Sequence, residues 1–265
     1  MKSIIILFFI SSVLFSKVYY SKVEPYEIRD ISSNVSGVVV YTDENMIGKK
    51  LGAKAYIKID SKLDKDELSF VKGKLKHLNE ILKVDDEILK NLKKSLVKKR
   101  QNYKKVEKLK FKSSVEKDRE FYDLVVSENL YLSTQKEIQN LKLQILDLKL
   151  RKAQLKQRLS DKYLTAKGFV LYSVLVKVGQ VVGVSTPLAK VADVSKAKLT
   201  IYLDKDDVLD AQKKVIYIDG KKTDYKISRL LHISDSVNIS KYMAQIIINS
   251  PKLFSRLATV ELKDR

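Results

Sequence analysis

Residues 71–106 read VKGKLKHLNEILKVDDEILKNLKKSLVKKRQNYKKV. Apolar side chains return there at alternating steps of four and three: Val71, Leu75, Leu78, Leu82, Leu89, Leu92, Leu96, Tyr103 and Val106, with Asp85 and Lys99 as the only breaks. That spacing is a coiled-coil seam. A second seam runs through Ile138, Leu141, Ile145, Leu148, Leu155 and Leu159, broken at Lys152, and the polar stretch Lys110 to Asp118 separates the two. No proline falls between Pro25 and Pro187, so either arm can run unbroken. A single helix would leave both seams bare, and Ser113 with Glu116 three residues later reads as a capping box that starts a new helix. The sequence therefore predicts an antiparallel coiled-coil hairpin over 61–162 with its turn near 112–115. Arms of roughly 50 residues make a hairpin on the order of 75 Å long. Asp64, Asp66 and Glu67 fall at the first arm's start, where negative charge suits the helix dipole.

The flanks of this stretch repeat one another. Gly37-Val-Val-Val-Tyr41 is echoed by Gly168-Phe-Val-Leu-Tyr172, Gly48 and Gly52 share a register with Gly179 and Gly183, and Ile47 and Leu51 match Val178 and Val182. Six of the eight glycines lie in this repeat, and Gly37, Gly48, Gly52, Gly168, Gly179 and Gly183 read as turn positions that need a positive φ. Two half-domains, 31–60 and 163–193, are expected to pack into one small β-sandwich with the hairpin inserted between them. The first half ends in the alternating Ala55-Tyr56-Ile57-Lys58-Ile59-Asp60, a half-buried strand by its period.

The chain opens with a short basic start, an apolar run from Ile4 to Leu14 and then Phe15-Ser16. That run is short for a membrane span and has the shape of a secretory signal peptide, so 1–16 reads as a signal peptide or an N-terminal anchor. Residues 17–30 have the composition of a linker. After 193 the pattern changes to strands: Lys198–Leu203, Val215–Ile218, Tyr225–Ile233, Tyr242–Ile248 and Leu257–Leu262, with a short helical turn in Asp204–Ala211 and Asp219-Gly220 as a hairpin turn. Together 194–265 predict an antiparallel β-barrel or meander, and the whole chain is of the α+β class.

Charge and composition narrow the function. The chain has 265 residues, a net charge of +20 and no cysteine, which excludes disulfides and a lipidated N-terminal cysteine. Eleven lysines and arginines lie between Lys90 and Lys112 against Glu107 alone. Such a stripe suits phosphates, but no recognition motif or set of base-stacking aromatics accompanies it, and a solvated helix face or attraction to acidic lipid or an acidic partner surface fits an exported chain better. Nucleic acid is not expected as a partner. His77 and His232 fall in different modules and read as surface or strand residues. Asp204, Asp206 and Asp207 lack the glycine and distal glutamate of a calcium loop, and no phosphate-binding glycine loop or Gly-x-Ser-x-Gly elbow is present. The chain reads as a non-enzyme without metal or cofactor.

Val35-Ser36-Gly37-Val38-Val39, a long hairpin, then Leu164-Thr165-Ala166-Lys167-Gly168-Phe169-Val170 and Val178-Gly179-Gln180-Val181 through Pro187-Leu188-Ala189 to Val191-Ala192-Asp193 resembles the HlyD-like membrane fusion proteins, the periplasmic adaptor subunits of tripartite efflux and secretion systems. The resemblance implies a split lipoyl-like barrel-sandwich hybrid, the inserted hairpin and a C-terminal antiparallel β-barrel, to which 17–30 returns as a strand. It implies a periplasmic, inner-membrane-associated homo-oligomer that joins an inner-membrane transporter, of the resistance-nodulation-division or ATP-binding cassette type, to an outer-membrane channel. The tip residues Lys110, Phe111, Ser113, Ser114 and Val115 would then meet the channel, with Phe111 either a partner anchor or a staple closing the hairpin. Two departures stand out. The Arg-x3-Leu-x6-Ser pattern of members that meet TolC-type channels is missing, the nearest stretch being Lys117-x3-Phe121-x5-Ser127, and Ser255-Arg256 stands where a glycine often precedes the last strand. The alternative from another class is a structural envelope coiled-coil spacer or scaffold without a transporter.

Overall fold

The computed structural model describes residues 17–234, 238 and 240–264. The apolar leader at 1–16 lies outside them, and among the described residues no helix is long and apolar enough to cross a membrane. In chain order the elements are β1 (Val18–Lys22), β2 (Glu24–Ser32), β3 (Gly37–Thr42), β4 (Ile57–Ile59), α1 (Lys62–Glu107), α2 (Ser114–Asp161), β5 (Tyr163–Leu164), β6 (Val170–Val174), β7 (Val181–Val182), β8 (Pro187–Leu203), α3 (Lys205–Val208), β9 (Val215–Ile218), β10 (Lys221–Lys222), β11 (Ile227–Ser234), β12 (Tyr242–Asn249) and β13 (Leu257–Lys263). They form two compact units. One comprises Val35–Val40 and Lys58–Leu164; the other comprises the described residues up to Asn34, Tyr41–Ile57 and those from Thr165 onward.

The first unit is the hairpin and its root. Leucine, lysine and glutamate, which lose little side-chain freedom in a helix, dominate both arms, and no proline interrupts them. The connection is Lys108–Ser113, a few residues before the expected 112–115, because Ser113 is the N-cap of α2 and so ends the turn. At the root, β5, β4 and β3 lie side by side in that order, with the Ile59 amide donating to the Lys162 carbonyl at 2.9 Å and the Asp60 amide to Val38 at 2.8 Å.

The second unit is built on β8, a single strand of 17 residues. It runs straight through the boundary expected at 193/194. β2 pairs along it from Ser32–Pro187 to Glu24–Lys198, β6 pairs with its first half, and β12 with its second. β11 extends the sheet beyond β12, and a second antiparallel sheet has the order β1-β13-β9-β10. Every other residue of the main strands points into one core: Ala197, Leu199, Ile201 and Leu203 from β8, Ala244, Ile246 and Ile248 from β12, Ala258, Val260 and Leu262 from β13, and Ile216 and Ile218 from β9. This period of two is what closes the half-barrel, each large side chain contributing about 1.5–3 kcal/mol on burial.

Residues 17–30, linker-like in composition, are mostly strand, β1 and the greater part of β2. β1 pairs with β13 and β2 with β8, and Val23 between them is fully buried. Its amide donates to Arg256 at 2.9 Å and its carbonyl accepts from Ser255 at 2.8 Å. Ser255 itself takes φ +64°, so a serine carries the left-handed conformation for which a glycine would be expected. Asp219 and Gly220 take φ +51° and +74°, the pair of positive values that a type I′ hairpin requires, as the Asp-Gly step predicted.

Candidate functional site

What the hairpin can offer a partner depends on which side chains its own arms bury. All nine apolar positions expected on the first seam are buried or half-buried, with Val71, Leu75 and Leu96 fully so. On the second arm Ile138, Ile145 and Leu155 are buried and Leu141, Leu148 and Leu159 half-buried. The seam continues toward the turn through Thr134, Tyr131, Ser127 and the buried Leu124. Hydrophobicity alone misses that extension because half of it is polar; continuing the four-three stride past Ile138 finds it.

At the root the acidic start of α1 does more than meet a dipole. Asp64 is 6% exposed and binds both Lys162 and, at 3.2 Å, Arg158. Burial alone would push its carboxyl up, but the hydrogen bonds and charges of Lys162 and Arg158 outweigh that and hold it below the usual carboxylate range. Arg151 donates to Glu67 at 2.7 Å, and the Ser61 hydroxyl shares a 3.0 Å hydrogen bond with Tyr163. Toward the tip the polarity reverses, with Arg100 of α1 donating to Glu128 of α2 at 2.8 Å. Acid on α1 meets base on α2 near the root, and base on α1 meets acid on α2 near the tip.

The capping box at the tip forms as the sequence predicted. The Glu116 amide donates to the Ser113 hydroxyl at 3.3 Å and the Ser113 amide to the Glu116 carboxylate at 3.1 Å. Lys112 at 2.8 Å, together with the Ser113 amide and the Ser113 hydroxyl, each donating at 3.1 Å, pulls the Glu116 carboxyl down to about 2. Lys110, Phe111 and Ser113 lie in the connection, and Ser114 and Val115 in the first turn of α2. Phe111 is 80% exposed and Val115 75%, so Phe111 does not close the hairpin as a staple. That work falls to Phe121, whose ring meets Tyr103 across the arms at 5.7 Å. The stretch nearest the TolC-type pattern is therefore partly spent on internal packing.

A second line of apolar side chains stays outside the seam. On α2 it comprises Tyr122, Val126, Leu132, Leu143, Leu146 and Leu150; on α1 it comprises Phe70, Ile81, Val84 and Ile88. Leu143 and Leu150 fall two residues before the seam positions Ile145 and Lys152, which puts them on the far face of the helix. This offset was present in the sequence beside the seam that overshadowed it.

In the second unit the two repeat halves bond to one another. The Gly48 amide donates to Leu171 at 2.8 Å, Leu171 to Lys49 at 3.1 Å, Leu51 to Phe169 at 2.7 Å, and Gly168 to Leu51 at 3.0 Å. Of the six glycines expected at positive φ, Gly48, Gly168 and Gly179 take it, at +79°, +95° and +90°. Gly37, Gly52 and Gly183 do not. Gly37 opens β3, where a Cβ would lie 2.7 Å from Ile59 Cγ2; at Gly52 a Cβ would meet nothing within 4 Å; and the left-handed residue after Gly183 is Ser185, at φ +68°.

On the half-barrel, Tyr20, Thr200, Tyr202 and Met243 line an open groove of about 430 Å³. Asp204 and Asp207 are held by Lys17, Tyr19 and Lys241. His77 is exposed, 3.4 Å from Glu80, and His232 is exposed on β11. Among the described residues no three histidine or carboxylate side chains gather as a metal site.

No protein-family model and no curated protein matches the chain in sequence. Solved structures match it in fold. MacA from Actinobacillus actinomycetemcomitans aligns over 93% of this chain and 78% of its own, at 18% identity and a TM-score of 0.66. A MacA-MexA chimera containing the Pseudomonas aeruginosa MexA α-hairpin domain aligns over 94% and 82%, at 15% identity and 0.58. The membrane fusion protein Spr0693 from Streptococcus pneumoniae R6 aligns over 94% and 100%, at 13% identity and 0.55. At these identities the likeness is one of architecture, and the chain has the MacA-like adaptor fold.

Proposed function

We propose that this chain is a periplasmic adaptor of the HlyD-like membrane fusion class, which couples an inner-membrane transporter of the resistance-nodulation-division or ATP-binding cassette type to an outer-membrane channel. The observation that carries the reading is the split motif. Two glycine-turned segments more than 100 residues apart in sequence hydrogen-bond directly, Gly48 to Leu171 and Leu51 to Phe169, with the hairpin inserted between them. A spacer needs only the hairpin and has no use for a domain divided around it. The adaptor uses both parts: a β platform that holds the transporter, and a helical arm whose tip, Lys110, Phe111, Ser113, Ser114 and Val115, reaches the channel. The exposed stripes on α1 and α2 support a homo-oligomer, because a neighbouring copy would cover apolar side chains such as Ile81 and Leu143 that the seam leaves in water. The role is mechanical and involves no catalysis.

The test is co-purification of the tagged full chain from envelope membranes in mild detergent. The adaptor predicts an inner-membrane transporter and an outer-membrane channel in one complex. Recovery of the chain alone, as an oligomer, would favour the envelope spacer.

A further inference from the structure

The hairpin is not uniformly packed along its length. Between Leu75 and Leu96 no seam side chain of α1 is fully buried, and between Leu124 and Ile138 none of α2 is. Counting inward from the Glu67–Arg151 and Tyr103–Phe121 contacts places Asp85–Ser95 opposite about Ser127–Glu137, so the two gaps overlap there. On the root side lies a packed cluster of Val71, Leu75, Ile145 and Leu155; on the tip side, Leu124 and the Tyr103–Phe121 pair. Inside the window Asp85 places a half-buried carboxylate at a seam position of α1, and Ser127, Tyr131 and Thr134 put polar groups at the seam positions of α2. A seam of this composition excludes water poorly.

Two further observations fall on the same window. The Leu130 carbonyl accepts hydrogen bonds from both the Ser133 and Thr134 hydroxyls, each at 3.0 Å, and the Asp123 carbonyl accepts one from Ser127 at 2.9 Å. Side-chain hydroxyls that compete for helix carbonyls loosen and bend helices. A cleft of about 250 Å³ also opens at the tip edge of this window, lined by Leu96 and Arg100 of α1 and Glu128 and Tyr131 of α2.

We propose that Asp85–Ser95 of α1 and Ser127–Glu137 of α2 form a mid-arm hinge, dividing the hairpin into a root rod and a tip rod that swing relative to each other. The hinge takes up misalignment between what the root is fixed to and what the tip meets, while packed layers on either side keep each rod straight.

Amide hydrogen exchange on the full chain tests this. Amides of the window should exchange about ten-fold faster than those of both flanking blocks, with protection restored around Tyr103 and Leu124. Rates that rise steadily from root to tip would mean simple fraying and overturn the hinge, as would a window as protected as its flanks. The double substitution Asp85→Leu, Thr134→Leu makes two polar seam positions of the window apolar and removes one competing hydroxyl. It should slow exchange in the window toward the flanking rates and leave the root unchanged; unaltered window rates in a folded variant would also overturn the proposal. The wild-type profile is decisive without the variant.

Discussion

Gly168 and Gly37 hold matching places in the repeat and are glycine for different reasons. Gly168 stands at φ +95°, a conformation L side chains rarely adopt, whereas Gly37 has ordinary backbone and admits no side chain beside Ile59. Gly168→Val should therefore cost upward of about 1–2 kcal/mol through its backbone. Gly37→Val should cost about 1–3 kcal/mol through overpacking. Gly52→Ala, with open space and an unexceptional φ, should stay within about 0.5 kcal/mol. Urea unfolding midpoints at constant slope read all three. If Gly52→Ala proves as damaging as the others, the assignment of reasons is wrong. The sequence showed that six glycines share a register but not which of them use their freedom, because a tight approach and a left-handed turn select the same residue. Ser255 makes the converse point: a left-handed position filled by serine leaves no mark in the sequence.

Among the elements, the hairpin arms were the most legible and half of one seam the least. Leu, Ile and Val at a strict stride declare a seam, but Ser127 and Thr134 occupy seam positions while reading as surface residues. Leu82 and Leu148 pack against the root cluster, so Leu82→Asp or Leu148→Asp should loosen the hairpin by a few kcal/mol, since each places a charge among apolar side chains. Unchanged helical melting by circular dichroism would refute the pairing. The root also predicts a pH dependence. Asp64 is depressed in the folded state, so its contribution is fully present above the ordinary carboxylate value of about 3.9 and is lost as the pH falls through the lower folded value. Hairpin melting should thus be insensitive to Asp64 ionisation near neutrality and fall below about pH 4. Asp64→Asn should be less stable at neutral pH and lose less on acidification. An equal acid response in both proteins would remove Asp64 from the account. The sequence placed Asp64 at a helix start but could not show Lys162 and Arg158 around it, because those contacts span nearly the whole hairpin.

For the whole molecule, the order of parts was readable because the repeat brackets the hairpin, and a domain split by an insertion is visible as two copies of one pattern. The return of β1 to the half-barrel was not visible in composition, since five alternating residues beside Pro25 resemble a linker until β13 pairs with them. Nor was the continuity of β8, which joins parts that a change in residue pattern had separated. The account's central claim is that the hairpin tip and the half-barrel meet different partners. Site-specific photocrosslinking in the native envelope tests it most directly, with a photoreactive residue at the exposed Phe111 in one variant and at Tyr202, in the half-barrel groove, in another. The account predicts an outer-membrane channel captured from position 111 and an inner-membrane transporter captured from position 202. Capture of only the chain itself from both positions would contradict the coupling role and leave an oligomeric envelope spacer with an adaptor's fold.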